Sequence, residues 1–155
     1  MTMTSLQQPV VYISGPLHAA RDLKSARVFY EYLANVVSDL GWTPYLPHQT
    51  TDPDRQAHLS PEHVFAHDLD RLVTANAIIA DIGQPSSGVG AELGIACERS
   101  IPVVGLHAVS ERPSRFVLGM LLSSPWAKVV TYTDWQDLRQ TLQAALLAVA
   151  HEAAL

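Results

Sequence analysis

Short apolar runs alternate along this chain with segments whose apolar residues recur every three or four positions. That alternation restricts the fold more than any single residue does. Val10-Val11-Tyr12-Ile13 stops at Ser14-Gly15-Pro16, which predicts a buried strand and a tight turn. Val28, Phe29, Tyr32, Leu33, Val36, Val37 and Leu40 then share one helical face, closed by Gly41. A second strand is expected over 42–46, at an edge because Pro44 has no N–H to give a neighbour. Residues 47–59 show no period and read as a mobile loop. Ser60-Pro61 caps and opens a helix running to about Thr74. Further strands are expected over 77–82, 101–106 and 128–132, with a turn over 83–88 and a helix over 89–98. Asp134 caps a last helix with Trp135, Leu138, Leu142, Leu146 and Val149 along one side.

Strands and helices in this order predict an α/β fold: a doubly wound five-stranded parallel sheet, flavodoxin-like or Rossmann-like, in a three-layer sandwich formed by one domain. Ligands of such sheets bind beyond the carboxyl ends of the strands, where the winding reverses. Segments 15–21 and 83–92 and the loop after Leu106 are therefore expected around one crevice. Hydrophobic residues make up 48% of the 155 and charged ones 16%, enough apolar material for a core. The net charge of −5 argues against an extended nucleic-acid surface, which needs a basic stripe. One small phosphorylated ligand stays compatible, since a helix N-terminus holds a phosphate whatever the overall charge. A lone cysteine, Cys97, and the lack of any signal-like or membrane-length apolar run point to a cytoplasmic protein without membrane association.

The densest chemistry lies in Gln84-Pro85-Ser86-Ser87-Gly88-Val89-Gly90-Ala91-Glu92-Leu93-Gly94. Its glycines miss the dinucleotide fingerprint, since Leu93 stands where the third glycine belongs. No phosphate-loop Gly-x-x-x-x-Gly-Lys-Ser/Thr occurs, and Gln84 breaks a Gly-x-Ser-x-Gly elbow. What remains is two hydroxyls and a series of amides at a helix start, able to cradle a phosphate, with a carboxylate one turn further on. Glu92 could there be a nucleophile beside a nucleotide sugar, or an ordinary acidic residue favoured in a first turn by the helix dipole.

From Tyr12-Ile13-Ser14-Gly15 through Asp68-Leu69-Asp70-Arg71-Leu72 to Gly88-Val89-Gly90-Ala91-Glu92-Leu93-Gly94, the chain resembles the nucleoside 2-deoxyribosyltransferase superfamily, over roughly residues 10–132. It is most similar to the branch that hydrolyses the N-glycosidic bond of nucleoside 5'-monophosphates. The resemblance implies that Glu92 attacks C1' to form a glycosyl ester, that Asp68 protonates or orients the leaving base, and that Tyr12 positions the nucleophile. It also implies catalysis without cofactor or metal, and a homodimer. Six positions before the nucleophile, transferases acting on free nucleosides typically carry Asp; here Ser86 stands there, and a serine can donate to a 5'-phosphate that a carboxylate would repel. Ser87, Gly88 and Gly90 complete the expected phosphate turn, with Gly15 opposite. Pro16 departs from the Gly-Ser common in that branch and has no amide, so the remaining contacts are expected from Leu17, His18 and Arg21. Alternatives are base exchange on free nucleosides and a non-catalytic nucleotide-binding module.

His63 and His67 lie four apart, but Val64 stands where a zinc His-Glu-x-x-His site needs Glu, so a partly exposed helix face is expected. Cys97 reads as a small buried hydrophobe, and Asp70 and Arg71 as a solvated face. Asp81 reads equally as a site residue or a strand-end polar group. Trp42, Trp126 and Trp135 are expected in the core or an interface. The run Phe116-Val117-Leu118-Gly119-Met120-Leu121-Leu122 is more apolar than a surface helix needs and is expected to be a dimerisation face.

Overall fold

In the computed structural model, which describes residues 8–17 and 22–153, the first strand is flanked on both sides by the time the chain has passed its midpoint. The elements follow as β1 (Val10–Ser14), α1 (Leu23–Asp39), β2 (Thr43–Tyr45), a 3-10 turn (Pro47–Gln49), α2 (Pro61–Thr74), β3 (Ala77–Asp81), α3 (Ser87–Glu98), β4 (Val103–Ala108), α4 (Arg115–Ser123), β5 (Ala127–Tyr132) and α5 (Trp135–Ala153). All pairings are parallel and the order is β2-β1-β3-β4-β5, the expected doubly wound arrangement. The winding reverses between β1 and β3, so Ser14-Gly15 and Asp81 lie at the switch where a ligand crevice opens.

The three inner strands pack on both faces. Val11, Ile13, Ile79, Val104 and Leu106 face a layer made by α1 and α5, where Leu33, Val36, Val37, Leu138, Leu142 and Leu146 are buried. Tyr12, Ile78, Ala80 and Val103 face the other layer, with Leu72 of α2, Val89 and Leu93 of α3 and Leu121 of α4. This two-sided burial explains why the strands read as continuous apolar runs. Pro44 does sit on the edge strand, paired with Val11. Gly41 has φ +75°, the left-handed conformation that ends α1.

Several boundaries differ from expectation. The second strand is shortened to Thr43–Tyr45, and the fourth runs to Ala108 because His107 and Ala108 still pair with β5. Helix α3 begins at Ser87, since Ser86 caps it by accepting the Val89 N–H at 3.3 Å. Val28 is exposed while Tyr30 is buried, so the buried face of α1 is rotated from the predicted one. Trp135 is also exposed rather than in the core, at 45%, and stacks on Tyr32.

The largest difference concerns residues 47–59, expected to be mobile. Asp52 is fully buried and receives a bidentate pair from Arg27 of α1, Nε and Nη2 each donating at 2.7 Å. The amides of Asp54 and Arg55 donate to the same carboxylate at 2.9 and 3.0 Å. Buried His48 hydrogen-bonds Glu31 of α1 at 2.8 Å. Beyond the 3-10 turn, polar pins hold this segment, which apolar periodicity does not register.

Candidate active site

Glu92 lies on the second turn of α3, directly over the carboxyl end of β1. Residues two apart on a strand share a face, so Tyr12 and Ser14 both point toward α3. Tyr12 Oη–H donates to Glu92 Oε1 at 2.8 Å and Ser14 Oγ–H donates to Oε2. Each carboxylate oxygen is held, yet each keeps a lone pair free. Burial pushes the Glu92 carboxyl above its usual range; the Ser14 and Tyr12 donors pull it down, and the charge of Asp68 pushes it up again. Burial and the neighbouring carboxylates hold the Tyr12 phenol far above its ordinary value, so it remains a protonated donor.

Asp68 projects from α2 toward the same point. Thr51 Oγ1–H is shared between its two oxygens at 3.1 and 3.0 Å, and Tyr45 Oη–H donates at 3.3 Å. Burial again raises the carboxyl, against the lowering effect of those hydroxyls and of His67. The Tyr45 phenol itself is pushed up to about 12, chiefly by burial. Two carboxyl groups with raised affinity for protons therefore face one opening, and each makes it harder for the other to ionise.

Two hollows meet at this pair. One, of about 440 Å³, is mainly apolar and is lined by Pro53, Ala57, Leu59, Val64, Phe65, Leu69, Leu72 and Ile95. The other, of about 500 Å³, is lined by Gly15, Leu17, Tyr30, His48 and the start of α3 at Ser86, Ser87 and Gly88. Thr51, Pro53, Val64, Asp68, Gly88 and Glu92 belong to both. Positions 64, 65, 68, 69 and 72 form one face of α2, so the helical period that buries Leu72 also aligns Asp68 with the apolar wall.

Of the residues expected from sequence, Tyr12, Asp68 and Glu92 are brought together, and Gly15, Leu17, Ser86, Ser87 and Gly88 line the second hollow. Gly15 is required sterically, since a Cβ there would lie 2.2 Å from the Tyr30 ring. Ser86 accepts from Val89 and keeps its own proton to donate. Gly90 lies elsewhere: its N–H is used by the Ser86 carbonyl at 3.0 Å, and it lines a separate hollow with Ser114 and Val117. His18 and Arg21 lie outside the described residues. The loop after β4 does not line either of the two hollows at Glu92; Glu111 approaches Gly83 and joins Asp81, Tyr30 and Tyr132 around a further opening. Ser14, Tyr45, His48, Thr51 and Gln56 were not singled out from the sequence. The alternation Tyr12-x-Ser14 was the available signal for the first, whereas the other four come from an edge strand and an aperiodic segment.

His63 and His67 stack with ring centroids 6.3 Å apart, and among the described residues no group of three or more His, Cys, Asp or Glu side chains could hold a metal ion. Cys97 is a free, partly buried thiol packed against the α2–α3–α4 core. Arg71 and Asp70 are exposed, as expected.

A carboxylate pair thus lies at the switch point of a doubly wound sheet, and the comparisons identify the family of enzymes to which the chain belongs. It belongs to the nucleoside 2-deoxyribosyltransferase family, whose model matches residues 11–143. A relative from Methanosarcina barkeri, which carries the provisional name 2'-deoxynucleoside 5'-phosphate N-hydrolase 1, is 26% identical over 148 residues, covering 92% of this chain and 88% of the relative. The fold is shared with the CMP N-glycosidase BcmB of Clostridium botulinum, with a TM-score of 0.65 at 20% identity over 87% of this chain and 98% of that one. It is shared too with a 2-deoxyribosyltransferase from Bacillus psychrosaccharolyticus, with a TM-score of 0.59 at 23% identity over 84% and 90% of the two chains. Among the described residues no helix is long and apolar enough to cross a membrane.

Proposed function

We propose that this protein is an N-glycosidase that hydrolyses nucleoside 5'-monophosphates to free base and sugar 5-phosphate. The observation that carries the reading is the junction of an apolar hollow with a hydroxyl- and amide-lined one at Glu92 and Asp68. A nucleotide has that division: a flat apolar base, a reactive C1', and a phosphorylated sugar. The phosphate end meets Ser86, Ser87 and the first free amides of α3, where the helix dipole favours an anion. The names of the relatives, hydrolases and a glycosidase of nucleoside monophosphates, support the same substrate class.

In this mechanism the Glu92 carboxylate, held by Tyr12 and Ser14, bonds to C1' as the C1'–N bond breaks. Asp68 in its protonated form gives its proton to the departing base. The carboxylate stabilises the positive charge that develops at C1' during bond breaking. Water then adds to C1', its proton returns to Asp68, and Glu92 leaves as carboxylate. Ser86 in place of a carboxylate supports a phosphorylated substrate over a free nucleoside.

The exposed side of α4 supports a homodimer: Phe116 is 83% and Leu122 70% exposed, while Leu121 is buried beneath them. A second copy covering that side would remove apolar surface from water close to the start of α3. The function is tested by incubating the protein with each ribo- and deoxyribonucleoside 5'-monophosphate and separating the products. Free base and sugar 5-phosphate are expected from at least one substrate, and Glu92→Gln is expected to lower the rate at least about a thousandfold. Release of no base from any of them overturns the reading; a new nucleoside formed from added free base favours transfer instead.

A further inference from the structure

We infer that Thr51 is the positioning residue that lets Asp68 act as acid in one half of the reaction and as base in the other, an inference that rests on the hydrolase reading of the site. A carboxyl group with both duties must be held in one place whether or not it carries a proton. An N–H anchor favours the ionised form, since it only donates. A hydroxyl serves both forms, provided a second acceptor takes its proton when the carboxyl is neutral. Thr51 has this arrangement. Its buried Oγ1 lies 3.1 and 3.0 Å from the two Asp68 oxygens and 3.0 Å from the Pro47 carbonyl oxygen. Against ionised Asp68 the hydroxyl donates to the carboxylate. Against neutral Asp68 it accepts a hydrogen bond from the acid and turns its own proton to Pro47, with no heavy atom displaced. The Pro47 carbonyl already takes the Thr50 and Thr51 amides at 2.9 and 2.7 Å, so it is the weaker acceptor and the hydroxyl favours ionised Asp68.

The hydroxyl is also fixed from behind. The next residue, Asp52, is bound by Arg27 of α1 and by the Asp54 and Arg55 amides, so Thr51 is where that pinned segment meets α2. Tyr45 Oη is a weaker anchor: it reaches only Oδ1, at 3.3 Å, and is shared with Thr50 at 2.9 Å. The other groups around Asp68 are Glu92 of α3, Tyr12 of β1, His67 beside it on α2, and Arg71 over the Tyr45 ring. They influence its charge, but among the described residues only Thr51 hydrogen-bonds both its oxygens.

The test compares Thr51→Val, which keeps the shape and removes the hydroxyl, with Thr51→Ser, which restores it. Thr51→Ala repeats the removal with a smaller side chain, and thermal unfolding checks that each variant folds. Carboxyl 13C NMR follows the titration of Asp68, identified by the signal lost in Asp68→Asn. In Thr51→Val and Thr51→Ala, Asp68 is expected to titrate at a pH higher by about one, and in Thr51→Ser near the native midpoint. The kcat/KM for base release from the best-hydrolysed nucleoside 5'-monophosphate is expected to fall about ten- to a hundredfold in Thr51→Val and to recover in Thr51→Ser. On an Asp68→Asn background Thr51→Val is expected to change it by less than about twofold, whereas a merely structural role lowers it by the same factor on both backgrounds. An unmoved Asp68 midpoint, equal losses on both backgrounds, or no recovery with serine overturns the assignment. A moved midpoint without base release from any nucleotide keeps Thr51 as the anchor of Asp68 and overturns the hydrolase reading, and the acid–base duties with it.

Discussion

For the attack proposed above, the Glu92 carboxylate must be ionised and yet buried enough to be reactive, and these demands oppose each other. Burial raises its pKa, and the Ser14 and Tyr12 hydroxyls partly offset that by favouring the charged form. Removing either donor therefore raises the Glu92 pKa further. Ser14→Ala and Tyr12→Phe are each expected to shift the acid limb of the kcat/KM profile to higher pH and to lower the plateau about ten- to a hundredfold. In the proposed mechanism the opposite limb belongs to Asp68, whose carboxyl is raised by burial and so holds its proton more tightly. Asp68→Asn should abolish that limb, and a pH series on the variant checks it. Tyr12, Asp68 and Glu92 were singled out through the family resemblance, since spacing alone left Glu92 open between a nucleophile and a residue favoured by the helix dipole. Ser14 was not, because a hydroxyl at a strand end reads as turn chemistry until α3 is placed above it.

Among the elements, the strands and helices were readable because burial imposes a period, and their errors are errors of extent. β4 reaches two residues beyond the run predicted from apolar content, since His107 and Ala108 are held by pairing with β5 rather than by burial. Segment 47–59 resisted reading for the same physical reason. Its order comes from Arg27–Asp52 and His48–Glu31, pairs separated by 25 and 17 residues, which no local pattern encodes. Yet this segment supplies one wall of the apolar hollow, so its pins affect function. Arg27→Ala leaves the buried Asp52 carboxylate with only backbone donors. It is expected to cost about 3 kcal/mol in urea unfolding and to raise KM more than it lowers kcat. Gly15→Ala should be worse than its size implies, because the added Cβ meets the Tyr30 ring, and a lowered melting temperature checks it.

For the whole molecule, one buried acid sets a pH dependence of stability. Asp81 is pushed up to about 6 from 3.8, chiefly by burial and further by Glu111, although the Gly83 amide and Tyr30 hydroxyl favour its charge and His107 lowers it as well. The folded state thus holds a proton that the unfolded chain has released, so this contribution to stability falls as pH rises from about 4 through 6. Asp81→Asn is expected to flatten that slope and to stabilise the protein at pH 7 by no more than about 3 kcal/mol, read from denaturant unfolding at several pH values. At the same scale, Phe116→Asp on α4 should convert the proposed dimer to a monomer in light scattering, without loss of the fold. The placement of Glu92 on a helix and its two hydroxyl partners on a strand has a consequence for tuning. Basicity of the Glu92 carboxylate is gauged by how α3 sits on β1, so a slide of a few tenths of an ångström between two layers would alter it with no change in any group beside it. Substitutions in the packing beneath α3, such as at Leu93, thereby become adjusters of chemical rate.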